Sequence, residues 1–180
     1  IDIMQDYLAV GLDPEKNTFV LQSAVPALHE IAAYYANLVP MSRLVRNPTI
    51  KEELKDKSIR AQNSSVSFLC HPISQAADIT AFQADVVPVG DDQKPLIEQC
   101  NEIVQTFTRL YSSEAIKKVK PIYTNCPRLP GIDGKAKASK SMGNAIFLSD
   151  SAEEVRKKIF SMYTDPGHIC VNDPGKVEGN

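Results

Sequence analysis

The sequence is short of several things, and each shortage removes a class of function. No apolar run approaches the ~18 residues needed to cross a bilayer, and no signal-peptide pattern opens the chain. The expectation is a soluble, cytoplasmic protein without a membrane partner. No Cys-x-x-Cys occurs. Cys70, Cys100, Cys126 and Cys170 lie far apart, which suggests neither a zinc knuckle nor a disulfide framework, and favours reduced thiols. Charge of one sign is not in excess. Twenty basic and 22 acidic side chains give a formal net charge of −2, against a surface built wholly for nucleic acid but compatible with a local basic patch. Only three histidines are present, and no serine or cysteine has a local base and third member, so nucleophilic catalysis finds no support. No internal repeat is found.

What is present is an ordinary apolar fraction, 43% of 180 residues, enough for one domain or slightly more. Ile3, Met4, Tyr7 and Leu8 recur at helical spacing, and Gly11 stops that helix. Thr18–Ser23 is β-branched and aromatic and reads as a strand. Pro26 opens a second helix with Leu28, Ile31, Ala32, Tyr35 and Leu38 on its apolar face. Thr49 is a candidate cap for a short helix over 50–57, and 58–65 is polar. Val66–Cys70 returns to the interior, and Pro72 starts a helix through Ala76, Ala77, Ile79 and Phe82. A strand over 85–89, with Pro88 forcing an edge or an early end, precedes a helix over 94–111 that Asp91 or Asp92 caps. Ile122-Tyr123 reads as a last strand. Ser151 and Glu154 form a capping-box pattern before a basic helix with Val155, Ile159, Phe160 and Tyr163 facing inward. The order of elements implies α/β units around a parallel sheet.

The chemistry gathers in three stretches. Pro130–Asn144 holds Gly131, Gly134 and Gly143, with Lys135, Lys137, Lys140, Ser139 and Ser141 between them. A glycine-punctuated loop with cationic and hydroxyl donors suits a polyphosphate; its plainer reading is a solvated basic loop. Gly90-Asp91-Asp92-Gln93 joins a strand end to a helix start, the edge where open α/β sheets bind ligands; taken alone it reads first as an ordinary helix cap. Asp78 sits mid-helix among apolar residues, with Gln75 three back and His71 seven back on roughly the same face. A carboxylate there is costly unless paired, which makes it a candidate reader of a ligand N–H or ammonium; otherwise it lies on the helix's solvent side.

Lys137-Ala138-Ser139-Lys140-Ser141 resembles the Lys-Met-Ser-Lys-Ser signature of class I aminoacyl-tRNA synthetases, with Ala138 in place of Met. Pro72–Ile79, Val87–Lys94 and Asn125–Gly131 are similar to blocks of the tryptophanyl branch of that family, in the same order and spacing across nearly the whole chain. The resemblance implies a Rossmann-like parallel sheet with flanking helices. It implies activation of L-tryptophan by ATP, with Mg2+, and acyl transfer to tRNA(Trp).

By the same resemblance Lys137 and Lys140 are the catalytic residues, gripping the developing pyrophosphate with Ala138, Ser139 and Ser141 beside them. Gly90, Asp91 and Asp92 meet the ribose, and Leu129 lies near adenine. Asp78 accepts the indole N–H, Gln93 lies near the α-amino group, and His71 and Gln75 complete the tryptophan pocket. His71 stands where the family has Tyr, and Gln75 where many relatives have Met. The His-x-Gly-His type signature is absent. The expectation is therefore an internal piece of a longer chain. Residues 1–150 belong to the catalytic domain, 151–180 start a C-terminal helical region, and the piece alone is inactive or nearly so. A homodimer is expected, from the resemblance and from the apolar, arginine-flanked stretch Ala32–Arg46. Three rivals are a tyrosyl relative, which shares a Gln-x-x-Asp helix, a synthetase-like binding protein without turnover, and a generic nucleotide-binding α/β domain, which explains the loop but not Asp78 and its helix.

Overall fold

A computed structural model describes residues 2–56, 63–123, 129–134, 138, 139, 142–165, 167, 168 and 170–174. The chain forms two compact units, Val20–Pro127 and the pair of segments Ile1–Phe19 with Arg128–Asn180.

The Val20–Pro127 unit is built on one long helix. Its described elements are α2 (Ala27–Ala36), α3 (Met41–Arg46), α4 (Pro48–Asp56), α5 (Val66–Ala81), β1 (Val86–Pro88), α6 (Lys94–Tyr111) and β2 (Lys120–Ile122). Helix α5 packs against α2 on one side and α6 on the other. Ala76 and Ala77, both fully buried, let those helices approach closely. Around them Tyr35, Leu44, Ile73, Ile79, Ile97, Cys100, Ile103 and Val119 close the core, and Ile50, Leu54 and Leu69 form a second cluster. Inside the core the Tyr35 hydroxyl lies 2.7 Å from Thr80 Oγ1. Thr80 Oγ1 also donates to the Ala76 carbonyl, so its burial leaves no hydroxyl unmet. Burial pushes the Cys100 thiol up to about 11, so it is a reduced, inert core side chain.

Strands β1 and β2 are parallel, pairing Val86 with Lys120, Val87 with Pro121 and Pro88 with Ile122. A parallel pair joined through a helix is the βαβ unit expected of an α/β protein. Strand β1 ends at Pro88, as expected, although the Val89 N–H still donates to the Ile122 carbonyl at 3.0 Å, so the N–H that Pro88 lacks costs this pair nothing.

Several expectations change here. Thr18–Ser23 is not a strand; it is irregular and leads into a 3₁₀ turn over Gln22–Ala24. Its β propensity finds no neighbouring strand among the described residues, and propensity without pairing does not make a sheet. Pro72 does not start α5. Ser65 does, accepting the Phe68 N–H at 3.2 Å, and Pro72 lies inside the helix, buried. Val66, expected to enter the interior, is exposed. Thr49 does not cap α4; Asn47 Oδ1 accepts the Thr49 N–H at 3.0 Å. Nor does an aspartate cap α6: Asp91–Gln93 form a 3₁₀ turn, and Gln93 holds the N-cap position without a side-chain cap bond. The last strand starts two residues before the expected Ile122-Tyr123 and ends at Ile122.

The second unit contains α1 (Asp2–Ala9) and α7 (Ala152–Phe160). Helix α1 ends before Gly11, whose φ of +93° suits a residue without a Cβ. The Tyr7 and Phe19 rings stack, their centroids 6.0 Å apart. Helix α7 begins with the expected capping box, Ser151 and Glu154 bonding reciprocally. Its inward face does not materialise: Ile159, Phe160 and Tyr163 are exposed and Val155 only half-buried. Among the described residues of this unit only Gly131 and Asn144 are buried. No described helix is long and apolar enough to cross a membrane.

Candidate active site, residue by residue

In the Val20–Pro127 unit, α5 carries three of the expected residues. Asp78 is half-buried, and both its oxygens accept from Gln22 Nε2 at 3.0 Å. A carboxylate offers about four acceptor positions, so Gln22 leaves room for a further N–H. Gln75, one turn before Asp78 on the same helical face, donates from Nε2 to Gln93 Oε1 at 3.1 Å. Gln93 Nε2 donates in turn to Asp92 Oδ2 at 3.0 Å. The structure thus joins Gln75, Gln93 and Asp92 into one chain across the α5 face and the turn after β1. Gln75 Oε1 is buried and has no hydrogen-bond partner among the described residues. A buried, unmet acceptor costs about 1–3 kcal/mol, a cost that a ligand donor would remove. His71 is exposed and takes no part in this chain.

Gly90–Gln93 follows β1 directly, Gly90 half-buried and extended, with the Gln93 N–H closing the turn on the Gly90 carbonyl at 3.0 Å. Asp91 and Asp92 are exposed. The turn therefore presents backbone and two carboxylates at the carboxyl end of a parallel strand, the edge that favours ligands in such sheets. Its support is the side chain of Thr49, whose Oγ1 donates to the Asp92 carbonyl at 2.9 Å.

In the second unit, the loop that resembles the synthetase signature is held by Asn144. Asn144 Oδ1 accepts the Ser139 N–H at 2.8 Å, its Nδ2 reaches the Asp133 carboxylate at 3.3 and 3.4 Å, and its carbonyl accepts the Ile132 N–H at 2.9 Å. The Ala138 N–H donates to the Leu129 carbonyl at 3.0 Å, which brings two expected residues together. Leu129 itself is exposed. Gly131 is required because a Cβ there would strike the Asn144 amide. Gly134, at φ +64°, would set a Cβ 2.6 Å from the Tyr163 ring, and the Tyr163 N–H donates to Ile132 O at 2.8 Å. Lys137, Lys140 and Ser141 lie outside the described residues.

At the foot of α7, Lys158 and the Phe147 N–H hold the Asp150 carboxyl below the ordinary carboxylate range, and hydrogen bonds from Ser151 do the same for Glu154. The described residues contain no group of three or more His, Cys, Asp or Glu able to hold a metal.

Two residues with clear roles in this geometry escaped the reading of the sequence. Gln22 lies in a stretch read as a strand, 56 positions from Asp78, and no local signal connects them. Asn144 closes the basic loop, and its only sequence cue is its place beside Gly143.

Known proteins resemble this chain in sequence and in fold. The chain is 55% identical over 182 aligned residues to a tryptophan–tRNA ligase of Streptococcus mutans, covering 99% of the chain and 53% of the relative. It is 54% identical to that of Clostridium longisporum, covering 100% and 53%. The chain spans about half the length of the curated relatives it matches. Among solved structures it resembles a Campylobacter jejuni tryptophanyl-tRNA synthetase complexed with ADP and tryptophan. The TM-score is 0.75 at 31% identity, over 89% of this chain and 49% of that one. A tryptophanyl-tRNA synthetase of Mycoplasma pneumoniae aligns with TM-score 0.78 at 27% identity, over 92% and 50%. A tyrosyl-tRNA synthetase of Archaeoglobus fulgidus aligns less well, at TM-score 0.61 and 28% identity, over 89% and 47%. The family model for tRNA synthetases class I (W and Y) matches residues 1–179, and the chain belongs to that family.

Proposed function

We propose that the chain is part of the catalytic domain of a tryptophan–tRNA ligase. The intact protein activates L-tryptophan with ATP and passes the acyl group to tRNA(Trp). The observation that carries the reading is the pair of acceptors on one face of α5: the Asp78 carboxylate and the buried, unpartnered Gln75 Oε1. Tryptophan brings an indole N–H and an α-ammonium, which match acceptors of this kind. A site built to accept an N–H discriminates strongly, because a substrate lacking it leaves the acceptor unpaired. The identities to tryptophan–tRNA ligases support the same choice over the tyrosyl branch.

In this reading Asp78 takes the indole N–H, and Gln93, with Gln75 and the exposed His71, lines the remainder of the tryptophan pocket. Gly90, Asp91 and Asp92 face the ribose, and Leu129 lies near adenine. The tryptophan carboxylate attacks the α-phosphate of ATP, and pyrophosphate leaves. Such a step is mostly positioning plus stabilisation of charge. Lys137 and Lys140 supply that charge, with Ser139 and Ser141 as further donors beside Ala138. Mg2+ accompanies the triphosphate and takes oxygen ligands from it.

Residues up to about 150 form the catalytic part, and 151–180 begin the helical region. The protein works in the cytoplasm as a homodimer through Ala32–Arg46. The decisive experiment is pyrophosphate exchange on the full-length protein with tryptophan and tyrosine in turn. Exchange with tryptophan alone is expected. Exchange with tyrosine alone would overturn the choice of substrate, and tryptophan binding without exchange would favour the binding protein without turnover.

A further inference from the structure

The Gly90–Gln93 turn owes its shape to two residues on a different part of the chain. We propose that Asn47 and Thr49 are positioning residues for this turn, acting on the ligand side through its backbone; the inference rests on the assignment of the turn to the ATP side of the site.

The geometry is a small buried network. Helix α3 stops at Asn47 because Pro48 follows, and Asn47 is extended, with φ −58° and ψ 127°. That bend turns the Asn47 side chain inward, where it is fully buried. Its Nδ2 donates to Gln99 Oε1 at 2.7 Å and to the Pro95 carbonyl at 3.2 Å, in the first turn of α6. Its Oδ1 accepts the Thr49 N–H. Thr49, thus fixed, donates its hydroxyl to the Asp92 carbonyl at the centre of the turn. Asn47 and Thr49 therefore hold both sides of the junction between the turn and α6, one at Pro95 and the other at Asp92.

A core made only for stability would not need this set. Gln99 is 1% exposed, and its Nε2 finds no acceptor among the described residues. Keeping a half-satisfied amide in the interior is unfavourable compared with an apolar side chain of the same size. Its Oε1, however, anchors Asn47. The arrangement gives up some stability at Gln99 and gains a fixed backbone at Asp92. The turn's own side chains, Asp91 and Asp92, stay exposed, so the network shapes the ligand face from behind without occupying it.

The test compares Thr49→Val, which keeps the shape and removes the hydroxyl, with Thr49→Ser, which keeps the hydroxyl, in the full-length protein. Thr49→Val is expected to lower kcat/KM for ATP in pyrophosphate exchange about tenfold. It should speed amide hydrogen exchange at residues 91–93, and shift the thermal midpoint little. Thr49→Ser should return both readouts to within about twofold of the parent. Unchanged amide exchange at the turn in Thr49→Val overturns the proposal. So does a loss of ATP efficiency that Thr49→Ser shares. If the parent shows no tryptophan-dependent exchange at all, the functional assignment fails, while the amide-exchange comparison still decides whether Thr49 holds the turn.

Discussion

The two units hold their candidate site residues by different means. In Val20–Pro127, Asp78 and Gln75 stand on a helix packed against two others, which itself supplies Ile73, Ala76, Ala77 and Ile79 to the main core cluster. In the other unit the two buried residues among those described are a glycine and an asparagine, and the loop is held by the hydrogen bonds of Asn144. A packed helix fixes side chains to the precision that recognition of one amino acid requires. The described part of the loop is tied by hydrogen bonds instead, Asn144 with Ser139 and Asp133 and Ala138 with Leu129, with little packing around them. The difference teaches that one set of candidate residues is placed by packing and the other by hydrogen bonds, so mutations in the core and in the loop should act differently.

The largest expected effect tests that difference directly. Ile103→Ala, deep in the core, should cost about 3 kcal/mol of stability in a denaturant titration. Ile159→Ala on α7, a site 52% exposed, should cost less than about 0.5 kcal/mol. Equal costs would erase the contrast.

Next comes the division of labour. Lys140→Ala in the full-length protein should slow adenylate formation about 100-fold, ~3 kcal/mol, with a much smaller effect on tryptophan affinity. Asp78→Ala should do the reverse, weakening tryptophan binding by about 2 kcal/mol. Presteady-state rates and equilibrium titration separate the two; losses of equal size in both quantities for Lys140→Ala would contradict a transition-state role.

Smaller still is the capping box. Ser151→Ala should destabilise α7 by about 1 kcal/mol, seen as faster amide exchange at residues 154–156 with no change in the Val20–Pro127 unit.

The smallest effect is one of pH. Asp150 and Glu154 are held below their ordinary range in the folded chain, so they bind protons more weakly folded than unfolded. Their contribution is present above the unfolded carboxylate values, near pH 4, and is lost as pH falls through the lower folded values. Protection of the α7 amides should therefore decline below about pH 4, and the Lys158→Met variant should flatten that decline.

Much of the fold was legible because it rests on local rules. The apolar spacing and the preceding turn give the helix over 94–111 both of its ends, and the Ser151–Glu154 box needs only four consecutive residues. The parallel sheet followed from the alternation of elements, and two paired strands bear it out. The failures share a cause. Thr18–Ser23 has strand propensity, but a strand exists only if another segment pairs with it. Thr49 and Pro72 stand where a helix start is expected, but Asn47, two places before Thr49, and Ser65, seven before Pro72, meet the free N–H groups. The apolar side of α7 was read as inward from spacing alone, which says where a face is but not whether anything covers it.

The sequence by itself determined the order of the elements, the basic glycine-punctuated loop, and the family, through blocks whose spacing survives along the whole chain. Tertiary structure alone decided which polar groups meet. Gln22 reaches Asp78 across 56 positions, Asn47 reaches Gln99 across 52, and Thr49 reaches Asp92 across 43. A hydrogen bond needs its atoms within about 3 Å and correctly aimed, and only packing sets such distances between residues far apart in the chain.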